Sequence, residues 1–134
     1  MAYIGSKPAD KVLTASDIAD DLVTSAKLNY AETTLTDESS ITWDASTQDV
    51  AKVTLAGNRT LGSASSGTTG QFISLLIIQD GTGSRTLTWN AAYEFASDTA
   101  PTLTTTADLG DLFVFRYNGS KWLEVGRNQA LTLS

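Results

Sequence analysis

The 134-residue chain contains neither cysteine nor histidine. Without cysteine there is no disulfide framework and no thiolate chemistry. Without histidine, the commonest general base and the commonest metal ligand are both gone. Charge is sparse as well: 18% of residues are charged, against ~25% in an ordinary globular protein. Cations are the scarcer sign, with 9 Lys and Arg against 15 Asp and Glu, for a formal net charge of −6. A nucleic-acid binder carries a basic stripe, and none is visible. The same balance argues against an anionic membrane surface. The stretch Met1–Pro8 has no apolar core of the kind a secretory signal needs, so the expectation is synthesis in a cytoplasm with no export by the usual route.

What fills the space is Thr, Ser, Ala and Gly around short apolar runs, a mixture that suits a β-rich body. The central stretch is Gly70–Trp89. Phe72–Ile78 is apolar at odd and even positions, broken only by Ser74. That pattern predicts a strand covered on both faces, and the run is too short to span a membrane. Asp80-Gly81-Thr82-Gly83 supplies residues that tolerate positive φ, and Arg85, Leu87 and Trp89 then alternate with Thr86 and Thr88. The spacing predicts a central hairpin.

Other elements follow by the same reasoning. Ile41–Asp44 and Asp49–Leu55 read as strands, the second with Ala51, Val53 and Leu55 on one face. Gly62–Gly70 is a small-residue loop. Tyr93–Phe95 reads as a brief edge strand, and Thr102–Thr106, after Pro101, as another. Leu112–Tyr117 and Trp122–Val125 flank Asn118-Gly119, a strong hairpin signal. Leu131 and Leu133 have no evident partner. About eight short strands separated by turns favour an all-β fold, an antiparallel β-sandwich or jelly-roll-like barrel, over residues 30–134.

Residues 1–29 read differently. Gly5 and Pro8 disfavour a helix over roughly the first dozen residues, leaving an extended arm. Ser16–Leu22 and the stretch after Thr24 read as short helical turns, with Ser16 and Thr24 as caps and Asp17, Asp20 and Asp21 favoured by the N-terminal dipole. Val23 and Leu28 form a possible staple. Turns this short are not stable alone. They must dock on their own β domain or on a neighbouring subunit. The candidate partner-binding residues are Tyr3, Ile4, Val12, Leu13, Ile18, Leu22, Val23 and Leu28.

No residue set points to catalysis. A glycosidase needs two facing carboxylates, one of them in an apolar pocket, and Asp44 with Glu94 is conceivable without being singled out. Asp80–Gly83 lacks the ligands of a calcium loop and opens no helix that could cradle phosphate. No catalytic, metal or cofactor site is expected, and no enzyme activity. Trp43, Trp89 and Trp122 are expected to pack between strands, with a sugar-stacking platform as the functional alternative. Arg59, Arg85, Arg116 and Lys121 are expected on solvated faces, with acidic partners across subunit contacts as the alternative.

The run Gly5–Asp10, followed by Leu13–Leu28, resembles the leader of tailed-bacteriophage virion proteins, roughly G-x-x-P-A and then D-I-x-D-x-x-V-T-x-x-K-L. The segments Ile41–Asp44, Val53–Leu61, Gln79–Trp89, Ala100–Leu103 and Asp111–Phe115 are similar to a β module that recurs in the same proteins. The resemblance implies a structural virion protein and a homotrimer. The preferred expectation is a capsid decoration or cement protein on the head surface, bound to the major capsid protein through residues 1–29. The alternative is a tail-fibre or adaptor component that attaches to tail proteins and recognises a host surface glycan. The head is preferred because a fibre normally carries a longer shaft than 134 residues allow.

Overall fold

A computed structural model describes residues 30–134. The expected arm, its helical turns and the eight candidate partner-binding residues lie outside the described residues. From Tyr30 onward the chain is β structure and connecting loops, with a single 3-10 turn at Ala96–Asp98. The all-β expectation holds.

Nine strands occur among the described residues. They are β1 (Thr33–Thr34), β2 (Ser40–Ile41), β3 (Val50–Leu55), β4 (Arg59–Leu61), β5 (Phe72–Gln79), β6 (Leu87–Trp89), β7 (Tyr93–Glu94), β8 (Leu109–Tyr117) and β9 (Trp122–Thr132). They form a six-stranded sheet in the order β1-β3-β5-β8-β9-β7 and a three-stranded sheet in the order β2-β4-β6. Up to β7 the chain therefore alternates between sheets, and strands stack on the strand one coil earlier. β1, β3 and β5 are mutually parallel, as are β2, β4 and β6. The return stretches add a parallel bridge between Asp44 and Ser65, with Ser65 N–H donating to Trp43 O at 2.9 Å.

This corrects two expectations about pairing. The body is not antiparallel throughout; only β5–β8 and β8–β9 pair that way. Phe72–Trp89 is not a hairpin, because its two strands lie in different sheets. The glycine-marked segment turns a corner instead. Asp80 accepts from Thr82 N and Gly83 N at 3.1 and 2.9 Å. The buried Gln79 amide closes the loop, taking Arg85 N–H at 2.8 Å and donating to Arg85 O at 2.9 Å. Turn residues specify that the chain reverses, not which sheet receives it. The Asn118-Gly119 hairpin does form: Gly119 has φ +97, and Asn118 Oδ1 accepts from Ser120 N and Lys121 N.

The core lies between the sheets. Ala51, Val53 and Leu55 of β3 face Ile73, Leu75 and Ile77 of β5 and Phe113 and Phe115 of β8, with Ile41 and Leu61 opposite. Trp89 sits edge-on to Phe95 and Phe113, at 5.1 and 5.0 Å between centroids. Burying such side chains contributes about 1.5–3 kcal/mol each. Trp43 and Trp122 are 2% and 0% exposed. Their indole N–H groups donate to Gln48 O at 2.7 Å and Ala64 O at 3.0 Å. They are packing residues, as expected, and offer no face to a sugar.

Two expectations near the C-terminal half are also revised. Thr102–Thr106 is not a strand but an irregular strap, tied by Thr104 N–H to the buried Asp111 carboxylate at 2.7 Å. β9 runs on to Thr132, so Leu131 pairs with Gly110 of β8. Asp111 fixes the irregularity there: it also accepts from Ala130 N at 2.9 Å and Gln129 Nε2 at 3.2 Å. Sequence pattern missed this because a lone Asp in an apolar strand reads as a flaw, while the structure uses it to hold a register shift.

Candidate interaction surfaces

Three features of the fold face outward. The first is the corner shared by the stacked coils. Asp37 accepts from Arg59 Nε and Nη2 at 2.9 and 2.8 Å, and Arg85 Nη2 donates to Asp80 at 2.8 Å. The Arg85 guanidinium, then the Gly83 and Thr82 N–H groups, pull the Asp80 carboxyl down to about 2. Arg59 likewise holds Asp37 below the usual carboxylate range. The two arginines are thus paired with acidic side chains of their own chain while remaining partly exposed. Lys121 approaches Glu94 at 3.4 Å. Arg116 stands on the exposed face of β8.

The second feature is a groove of about 220 Å³ beside the first coil, lined by Thr34, Thr36, Thr42, Asp44, Gln48 and Ser65 over the buried Leu35 and Trp43. Its lining is mostly hydroxyl, amide and carboxylate. Asp44 accepts from Ser46 Oγ at 2.7 Å and Ser46 N at 3.0 Å, which keeps its carboxyl below the ordinary range. That is the reverse of what a general acid needs. Glu94, the other half of the conceivable pair, is engaged with Lys121 instead. Among the described residues, no group of three or more acidic side chains converges to hold a metal ion. The groove can accept and donate hydrogen bonds to a polyhydroxylated ligand.

The third feature is the outer face of the six-stranded sheet. The pattern of Phe72–Ile78 predicts cover on both sides, yet only Ile73, Leu75, Ile77 and Gln79 are buried. Across the ladder, Leu76 lies beside Leu112, Ser74 beside Val114, Ile78 beside Gly110, and Phe72 beside Arg116. Cross-strand partners share a face, so these rows build an apolar stripe on the side away from the core. Phe72 is 55% exposed and Leu133, which reaches over Gly110 toward Leu76, is 42% exposed. A contiguous apolar face of this kind marks an interaction site.

The described residues thus form a small all-β body with a polar groove and an apolar sheet face. Residues 32–122, more than half of the chain, match the family described as "putative phage tail fibre C-terminal domain", and the chain belongs to that family. It is a structural protein of a tailed-phage virion. A search of curated proteins gives no match.

Proposed function

We propose that the chain serves at the phage tail, as a fibre or adaptor module that contacts a bacterial surface glycan through the groove around Asp44. The observation that carries this reading is the family match over residues 32–122. The preference for a capsid decoration protein bound to the major capsid protein rested on the absence of room for a shaft. A fibre's C-terminal domain needs no shaft of its own, so that reason falls away. The groove supplies the chemistry: threonine and serine hydroxyls, one amide and one carboxylate suit sugar hydroxyls. The module acts by binding rather than turnover. It associates with tail proteins and, as the resemblance implies, works as a homotrimer.

Immunogold labelling of intact particles with an antibody to residues 30–134 tests the location. Gold at the tail supports the reading, and gold over the head restores the decoration role. A glycan array with the full chain tests recognition. Binding that Asp44→Asn weakens about ten-fold or more, the ~1.4 kcal/mol expected of a charge-assisted hydrogen bond, supports the groove. A blank array, or one indifferent to the substitution, overturns it.

A further inference from the structure

We infer that the outer edge of β9, from Glu124 to Thr132, pairs antiparallel with the same edge of a second copy of this chain, about a two-fold axis at Asn128. The inference does not depend on where on the particle the chain sits. β7 covers β9 only at Trp122 and Leu123. Beyond them, among the described residues, β9 has backbone partners on its β8 side alone. Residues 125–130 are exposed without a break. The strap touches this stretch through the Gln129 side chain and Ala130 N–H, which leaves the outward main chain open. An unpaired edge of this kind is a template for another strand.

The spacing of the outward backbone groups identifies the occupant. Trp122 N–H points away from β8, donating to Ala92 O at 2.8 Å. Backbone groups alternate sides along a strand, so those of Glu124 also face outward. Val125 is an extra residue, because Phe115 pairs with Glu124 and Val114 with Gly126. The next outward positions are therefore Arg127 and Gln129. A second extra residue follows opposite Asp111, and Ala130 N–H is turned inward to that carboxylate at 2.9 Å. Thr132, paired with Leu109, restores the outward phase. The outward positions thus run three, two and three residues apart, a spacing that reads the same in either direction. Laid antiparallel on itself, the edge sets Glu124 against Thr132 and Arg127 against Gln129, each twice. Every outward group then meets an outward group, as ladder bonding requires. Bulges ordinarily protect an edge by mismatching an incoming strand. Here the two bulges match those of a second β9.

Charge and chain path agree. No Lys or Pro, the usual edge guards, occurs from Trp122 to Ser134. Glu124 and Arg127 bind each other at 2.6 Å, so neither charge is left bare at the margin. In the register above no like charges stand opposite one another. After Thr132 the chain leaves the edge, with Leu133 turned over Gly110. The copy's strand therefore stops short of the lane that β7 holds beside Trp122 and Leu123. A two-fold contact is isologous and closes on itself; combined with the threefold association proposed above, it closes as D3.

The chain has no cysteine of its own, so a single introduced one reads the pairing. Asn128 meets its counterpart across the axis in a non-hydrogen-bonded pair, with Cα atoms about 4.5 Å apart, within disulfide range. Asn128→Cys in the full chain is oxidised mildly and run on non-reducing gels. Thr88→Cys, on the exposed side of the other sheet, is the control. The expected covalent dimer is about ten-fold more abundant for Asn128→Cys. Adding Thr132→Lys, opposite Glu124 of the copy, should raise the yield at limiting concentration, and Thr132→Glu should lower it, each by about two-fold or more. Sedimentation of Thr132→Glu without the cysteine should show the same loss of paired species relative to the parent. A yield no higher than that of Thr88→Cys overturns the inference, whether the edge is then free or held by residues 1–29. A yield and a sedimentation profile indifferent to the charge at position 132 overturn it too.

Discussion

Asp111→Asn is predicted to destabilise the body by roughly 2–4 kcal/mol, although the substitution keeps shape and volume. The carboxylate is 2% exposed. Its Oδ1 accepts from Ala130 N, and its Oδ2 from Thr104 N and Gln129 Nε2. An amide has one acceptor oxygen, so either orientation turns its NH2 group toward a backbone N–H. The cheaper orientation forfeits Ala130 alone. Ala130 N–H keeps its second acceptor, Thr104 Oγ1 at 3.1 Å, but now also faces a donor, and each surviving bond loses about 1 kcal/mol of the strength that ionisation gave it. For a body of this size the midpoint of thermal unfolding should fall by roughly 8–20 °C. Urea unfolding followed by tryptophan fluorescence measures the change, with Trp43 and Trp122 both in the core. The slope should stay constant while the midpoint falls. Faster amide exchange at Ala130 and Thr104 would locate the damage. A stability within about 0.5 kcal/mol of the parent, the scatter of an ordinary surface change, would refute the assignment of Asp111 as the anchor of the strap and the β9 irregularity.

Gly83→Ala should cost at least about 2 kcal/mol, because Gly83 has φ +73 and an added Cβ would meet Thr105 O at 2.6 Å and Ala107 N at 2.8 Å. Accelerated exchange at Ser84, whose N–H donates to Thr105 O, is the local readout, and unchanged exchange and stability would count against it. Asp80 has its carboxyl pulled from 3.8 down to about 2. A depressed folded-state value means the stabilisation is complete above about pH 4 and fades as pH falls toward 2. The stability gap between parent and Asp80→Asn should therefore be constant at neutral pH and close in that acid window; a gap that persists at pH 2 contradicts the ion pair. Trp122→Phe should cost more than Trp89→Phe, by about 1 kcal/mol or more, since Trp122 Nε1 donates to Ala64 O while Trp89 Nε1 has no partner in the described structure. Paired denaturation curves decide the order.

The sequence carried the strand content and faces well but not the connectivity. Alternation marked Ala51, Val53 and Leu55 as inward, and all three are buried. Asn118-Gly119 announced its hairpin because a two-residue turn between local strands is decided by φ alone. The corner at Asp80–Arg85 uses similar residues, but its strand partners lie in earlier coils. Val53 pairs with Ile77 and Thr60 with Thr88, separations that no local pattern encodes. Leu131 found its partner in Gly110, a glycine that offers no side chain to predict from. The groove was illegible for the same reason. Thr34, Asp44 and Ser65 are neighbours only because the second coil stacks on the first.

β5 is where the stacked coils meet the reversed hairpin: β3 lies along one of its edges and β8 along the other. During synthesis the coils are complete once residue 89 has emerged, yet β5 keeps a bare hydrogen-bonding margin flanked by Ile73, Leu75 and Ile77 until β8 arrives. Two nascent chains held side by side would meet margin to margin, the geometry that seeds aggregates. Truncation anywhere between residues 90 and 108 should therefore yield inclusion bodies rather than a shorter soluble protein. The last quarter of the chain is the seal on what precedes it.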